Sequence, residues 1–335
     1  MRNRSGVAVA LTSCGIALCG VAATAAAQPT STGSGQAFPS KPIQFLVSFP
    51  PGSGTDLAAR LVGDKFRERS GQSVVIVNRS GAGAVLGAAY VAKANPDGYS
   101  IAIAASTELA VAPNTRLNLG YDTRKDFSIR TLLAEIPQCI VAGAGFSGRT
   151  VADVIALAKK QPPRLSFASY GAGTLAHLGI ALLTNSAGVD VLHVPYKGGP
   201  SAHPDVVNGR VQVLWDSVAG TRPLVNSGKL RMLAVTGAAR LTDIPDVPTV
   251  AESGFKGYDV SGWVAAAVPT GTPKPIADYL TAELSQIVKL PDVRGRLATA
   301  GLVSIGSSAT EATARVNAYL DKFALAVKIS GYQPD

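Results

Sequence analysis

Two short stretches of this chain carry the same backbone chemistry: Gly52-Ser53-Gly54-Thr55 after "FLVSFPP", and Gly171-Ala172-Gly173-Thr174 after "LSFASY". Each follows a predicted strand and opens a predicted helix. Glycines there let N–H groups point into a concavity, and the helix N-terminus adds partial positive charge, so each loop suits an anionic oxygen. Two such loops facing one another would clamp one small carboxylate.

Other chemistries fail on spacing. A phosphate-binding P-loop needs G-x-x-x-x-G-K-[ST], and neither loop has its lysine. A dinucleotide fingerprint needs G-x-G-x-x-G, but Leu57 and Ala176 stand where the third glycine belongs. A third cluster, Gly81-Ala82-Gly83 with Gly87, leaves an exported nucleotide or phosphate-ester binder only as a distorted alternative. A hydrolase elbow G-x-S-x-G is absent, and His177, His193 and His203 show no metal spacing. A secreted α/β hydrolase with a triad assembled across the fold stays open on spacing alone.

Several side chains sit where ligand contacts are expected. His177 lies in the first turns of its helix, facing either the cleft or the sheet. Asp56 occupies the equivalent turn after the first loop, where a carboxylate also offsets the helix dipole without any ligand. Ser106 and Thr107 follow "IAIAA", and Asp216 and Ser217 end "VQVLW", at the carboxyl ends of strands where open α/β sheets place their ligands.

The elements that must position these loops read as two α/β lobes. The chain has 335 residues, 47% hydrophobic and 16% charged, which gives ample core material. "IQFLVSF", "SVVIVN" and "YSIAIAA" alternate with helical patterns, the signature of a mostly parallel sheet covered on both faces. A second series starts after "IPQCIVAGAG" and repeats the theme through "LRMLAVTG". The remainder, with "GWVAAAVP" and two helices, is too small for a third domain and is expected to return to the first lobe, giving two hinge crossings near residues 140 and 260. The expected division is therefore 41–140 and 259–335 for lobe one, and 141–258 for lobe two.

The N-terminus reads as an export signal. Arg2 and Arg4 precede an almost uncharged run from Val7 to Ala23, then Ala25-Ala26-Ala27, so cleavage is expected after Ala27. Residues 28–40, rich in Ser, Thr, Gly and Pro, read as a linker. Leu11-Thr12-Ser13-Cys14 resembles a lipid-attachment box but lies too early in the apolar run. Cys14 and Cys19 fall in the leader, leaving Cys139 as a lone, buried thiol without a disulfide. The net charge of +9 becomes +7 without Arg2 and Arg4, a weak preference for anionic ligands. Scattered basic residues and few aromatics argue against nucleic acid.

The segments "KPIQFLVSFPPGSGTDLAARL", "NRSGAGAVLGAAYVAKANPDGYSIAIA", "FASYGAGTLAHL", "HVPYKGG", "LRMLAVTGAARLTDIPDVPTVAESGF" and "PTGTPKPI" together resemble the Bug-type periplasmic solute receptors, the tricarboxylate-receptor family of tripartite tricarboxylate transporters. The resemblance covers nearly all of the chain after the leader. It implies a two-lobed Venus-flytrap fold of the periplasmic-binding-protein kind that captures a small organic acid and serves a membrane permease or a sensor protein. It implies a monomer with no catalysis, cofactor or metal. Carried over by position, the binding loops are Pro50 through Asp56 and Ser169 through Thr174. Ligand contacts would come from Pro51, Gly52, Ser53, Gly54, Thr55, Asp56 and Thr107 in lobe one, and from Ala172, Gly173, Thr174, His177, Tyr196 and Asp216 in lobe two. Two departures bear on ligand identity: Ala172-Gly173-Thr174 replaces the family's Asn-Gly-Ser, and "PPGSG" replaces its "APGG".

Overall fold

The computed structural model describes residues 30–31, 37–81, 85–160 and 165–334. The leader expected over 1–27 lies outside the described residues, as do residues 82–84 of the third glycine cluster. The linker expectation fails at its end. β1 (Thr30–Ser31) pairs with β2 (Ala37–Phe38), and Phe38 is fully buried, edge-on to Tyr99 and Tyr279. An aromatic ring that finds an apolar slot is worth more inside than in a solvated linker, so the fold begins before Lys41.

Among the described residues eleven further strands form two sheets: β3 (Ile43–Val47), β4 (Val74–Asn78), β5 (Ser100–Ala105), β6 (Phe127–Ile136), β7 (Gln138–Gly143), β8 (Ser166–Ser169), β9 (Leu192–Pro195), β10 (Val213–Ser217), β11 (Leu230–Val235), β12 (Gly262–Pro269) and β13 (Val303–Ser304). The first sheet has the order β13-β6-β12-β5-β3-β4, and the second β11-β7-β10-β8-β9. The chain passes between them at Pro137 and again at 259–261, so the boundary expected at 140 falls inside β7.

The sheets are mixed rather than mostly parallel. Helical crossovers make β3, β4 and β5 parallel in one, and β8, β9 and β10 parallel in the other. The strands that carry the chain through the hinge have no such helix to reverse them. β6 continues straight into β7, so β7 runs antiparallel to β10, and the returning β12 runs antiparallel to both β5 and β6.

This topology decides where the loops lie. Ile136 pairs with Gly262, and Ala105 pairs with Val264, two residues further along the same strand. Gln138 pairs with Ser217. The carboxyl ends of the parallel strands of both sheets therefore meet at the crossing, and the loops after β3, β5, β8 and β10 open there.

The long Ala309–Ser330 helix ties the two halves together. A capping box of Ser308 and Glu311 starts it. Its apolar side packs Tyr319, Phe323 and Ala326 into a core that includes Ala102 and Leu132 of the first sheet and Trp215 of the second. At Gly179, on the helix above Trp215, an added Cβ would lie 2.5 Å from the indole. That close approach is why a glycine stands mid-helix despite its helix cost of about 1 kcal/mol.

Candidate functional site

The first loop joins β3 to the Gly54–Ser70 helix. Gly52 adopts φ +84, which turns the chain, and Ser53 caps the helix by accepting the Asp56 N–H at 3.3 Å. The Gly54 and Thr55 amides of that first turn have no protein acceptor among the described residues. Asp56 is buried, and both its oxygens serve the protein. Oδ2 accepts from the Gly52 N–H at 2.8 Å and from Arg60 Nε at 2.9 Å, while Oδ1 accepts from Asn78 Nδ2 at 2.8 Å. Asn78 also donates to the Phe49 carbonyl at 3.0 Å. Burial alone would raise the Asp56 carboxyl; the bonds from Arg60, Asn78 and Gly52 outweigh it and hold the group below its ordinary value. Asp56 thus braces the loop, with both of its oxygens engaged by protein donors.

The second loop joins β8 to the Leu175–Ala187 helix. Gly171 has φ +149 and Gly173 φ +67. Thr174 is the cap: its Oγ1 donates to the Gly171 carbonyl at 2.6 Å and accepts the His177 N–H at 3.4 Å. Ser169 Oγ donates to the Gly171 carbonyl at 3.0 Å and lies 2.7 Å from His193 Nε2. The Ala172 and Thr174 amides have no protein acceptor among the described residues, but the Gly173 N–H donates to His177 Nδ1 at 3.1 Å. His177 is stacked on His193, with ring centroids 4.0 Å apart and planes at 8°. Burial lowers the His177 imidazole and takes His193 down to about 4, the neighbouring ring adding to the effect. Both rings are neutral near pH 7, which His177 needs in order to accept.

Of the other expected contacts, Thr107 opens the π-turn Thr107–Val111 after β5, half-buried, its hydroxyl without a protein partner among the described residues. Pro51 stands exposed beside Gly52. Tyr196 does not direct its hydroxyl at open space: it donates to Asp205 Oδ2 at 2.7 Å. Asp216 is likewise engaged, Oδ2 with His203 Nε2 at 2.9 Å and Oδ1 with the Ser217 N–H at 2.7 Å. An added Cβ at Gly199 would lie 2.0 Å from Asp216 Oδ2, so that carboxylate fits only against a glycine at the start of the Gly199–Val207 helix. Cys139 is enclosed beside Thr221, and burial pushes its thiol up to about 12, as befits an inert core residue.

Several residues of this neighbourhood escaped sequence reasoning. Arg60 had a signal, since Asp56 and Arg60 stand at i and i+4 on one helix. Asn78 and Tyr332 had none, because their partners are distant along the chain. Glu108, next to Thr107, is completely buried: Oε2 accepts the Ala105 N–H at 2.7 Å, Oε1 has no partner among the described residues, and burial pushes the carboxyl up to about 8. Among the described residues no cluster of His, Cys, Asp and Glu is grouped to hold a metal, and no helix is long and apolar enough to cross a membrane.

A family model for the tripartite tricarboxylate transporter family receptor matches residues 58–324. The chain belongs to this receptor family. It is 38% identical over 292 residues to the UPF0065 protein in the tcbD-tcbE intergenic region of Pseudomonas sp. (strain P51), covering 87% of each chain. Among solved structures it is similar to R. palustris Rpa4515 with adipate, at 31% identity and TM-score 0.73, covering 88% of this chain and 98% of that one. It is also similar to MatC (Rpa3494) from Rhodopseudomonas palustris with bound malate, at 28% identity and TM-score 0.69, covering 87% and 100%. The two-sheet, twice-crossed architecture is that of the periplasmic binding proteins, and the family is one of solute receptors rather than enzymes.

Proposed function

We propose that this protein is an exported, periplasmic receptor that captures a small organic acid between the loops Pro50–Asp56 and Ser169–Thr174 and passes it to the membrane subunits of a tripartite tricarboxylate transporter. The observation that carries the reading is the pair of strand-to-helix loops at facing sheet ends, each with open backbone N–H groups: Gly54 and Thr55 in one, Ala172 and Thr174 in the other. Relatives with bound adipate and malate support a carboxylate as the ligand.

Magnitudes favour two loops over one. A hydrogen bond to a charged group contributes about 1.5–3 kcal/mol, while micromolar affinity needs about 8 kcal/mol beyond an association cost of about 4 or more. Four to six such bonds in a closed cleft suffice, which one loop alone does not supply. Binding and closure are then coupled, with lobe one formed by 41–140 and 259–335 and lobe two by 141–258, each to within the few residues by which Pro137 displaces the first crossing.

In this reading Gly54, Thr55, Ala172, Gly173 and Thr174 offer backbone donors, Ser53 and Thr107 offer hydroxyls, and Pro51 and Gly52 shape the mouth. Asp56, His177, Tyr196 and Asp216 act by positioning. The test is a thermal-shift screen of residues 28–335, refolded to strip any bound ligand, against carboxylic acids, amino acids, sugars and nucleotides. A ligand at about 100 times its dissociation constant stabilises by about 2.7 kcal/mol, a shift of several degrees. Stabilisation confined to acids is expected; a response only to sugars or nucleotides refutes the reading.

A further inference from the structure

We propose that Tyr332, in the tail beyond the last helix, is a positioning residue of the second loop: its ring sets the Gly173 backbone and the His177 imidazole, and thereby the affinity for the acid. This rests on the reading that loop 169–174 holds the ligand. The family model ends at 324, so the tail is contributed by residues outside the matched region.

The sequence steers the tail to the loop. The Ala309–Ser330 helix stops at Gly331, which takes φ +67 as a left-handed cap, and Ser330 Oγ accepts the Tyr332 N–H at 3.2 Å. The reversal lays the aromatic ring on the second loop. A Cβ added at Gly173 would lie 2.6 Å from Tyr332 Cζ, 2.7 Å from its hydroxyl oxygen and 3.0 Å from Cε2. The ring is therefore pressed on the bare face of this glycine, and no side chain fits between.

The same ring meets His177 edge-on, centroids 6.0 Å apart and planes at 75°. On its other side His177 is stacked on His193. Held between these rings, the imidazole keeps Nδ1 at 3.1 Å from the Gly173 N–H. That amide is one of the donors a carboxylate would use, so the ease with which His177 releases it enters the affinity directly.

The tail also has a fixed origin. Its helix is pinned to the first lobe by Asn114, which donates to the Leu320 carbonyl at 3.1 Å, and to the second crossing by the Tyr319 hydroxyl, which accepts the Ser261 N–H at 3.0 Å. A residue carried from the first half of the molecule thus rests on the ligand loop of the second.

The experiment compares the refolded protein with Tyr332→Leu, Tyr332→Phe and a chain ending at Gly331. Calorimetry gives the affinity for the tightest binder among malate, adipate, citrate, benzoate and glutamate, and proton resonances report the imidazoles, of which the chain has three. Tyr332→Leu and the truncation are expected to change affinity about tenfold and to move the His177 and His193 ring signals, with the unliganded melting midpoint nearly kept. Tyr332→Phe, which keeps the ring, should stay near the parent in both readouts. Parent-like affinity in both the Leu variant and the truncation overturns the proposal while leaving the ligand reading intact. A Phe variant as altered as Leu overturns the role of the ring. If the unsubstituted protein binds none of the acids, the ligand reading fails and the role of Tyr332 in affinity fails with it.

Discussion

The two glycine loops share a phrase in the sequence but are braced by different chemistry. The first is held by charge: Asp56 gathers Gly52, Arg60 and Asn78 around one buried carboxylate. The second is held by neutral groups: Ser169 and Thr174 donate to the Gly171 carbonyl, and His177, stacked on His193, accepts the Gly173 N–H. The first loop spends its Gly52 amide on the Asp56 carboxylate and the second its Gly173 amide on the His177 imidazole. A ligand finds open amides at both loops, and only the Gly173 amide has first to be released by His177. That asymmetry predicts which substitutions and which pH range disable each half.

The largest effect is expected at Asp56. Asp56→Ala leaves several donors around a buried site without their acceptor, at a cost of about 1–3 kcal/mol for each group left unsatisfied. Chemical denaturation should show about 3 kcal/mol lost, and acid binding should fall below detection by calorimetry; a variant that binds normally would show that the brace is dispensable. At Gly173 the damage is local. Gly173→Ala meets both the positive φ and the Tyr332 ring, costing about 1–2 kcal/mol from the left-handed backbone alone, and calorimetry should record at least about a tenfold loss of affinity.

The pH response separates the loops further. The His193 imidazole has its value lowered by burial from about 6.5 to about 4, so its contribution to stability is complete above pH ~6.5 and is lost as pH falls through about 4. As pH falls from 7 to 4, the parent's melting midpoint should lose ground steadily against that of His193→Gln, which lacks the titrating ring. Asp56 has its value lowered as well, but from a lower starting point, so the first loop keeps its brace through most of this range.

Glu108 works in the opposite direction. Its carboxyl is raised to about 8, so the stability it gives is complete below its ordinary value of about 4.3 and is lost as pH rises toward 8. Glu108→Gln should match the parent near pH ~4 and exceed it progressively up to pH ~8, and a constant difference across that range would contradict a buried, protonated acid. The smallest effect belongs to Tyr196, whose hydroxyl is spent on Asp205. Tyr196→Phe should cost about 0.5–1.5 kcal/mol and leave affinity within about twofold.

What the sequence made legible was local. The glycine loops at 52–55 and 171–174 announce strand-to-helix turns, and alternating apolar runs announce the parallel halves of both sheets. β6, "FSIRTLLAEI", went unrecognised because Ser128, Arg130 and Thr131 interrupt its apolar pattern, and with it went the direct passage through Pro137 that makes each sheet mixed. The site residues were assigned by position, which finds a loop but does not reveal what each side chain spends its hydrogen bonds on. For Asp56, Tyr196 and Asp216 those bonds go to Asn78, Asp205 and His203, partners that position alone does not announce.

The central claim is that backbone donors of both loops grip one acid together. Amide resonances of protein labelled with nitrogen-15 in glycine and threonine, followed while the acid selected by the thermal screen is added, test it most directly. The account predicts that Gly54, Thr55, Gly173 and Thr174 shift together and saturate at one concentration. Shifts in only one of the two loops, or in neither, would contradict it.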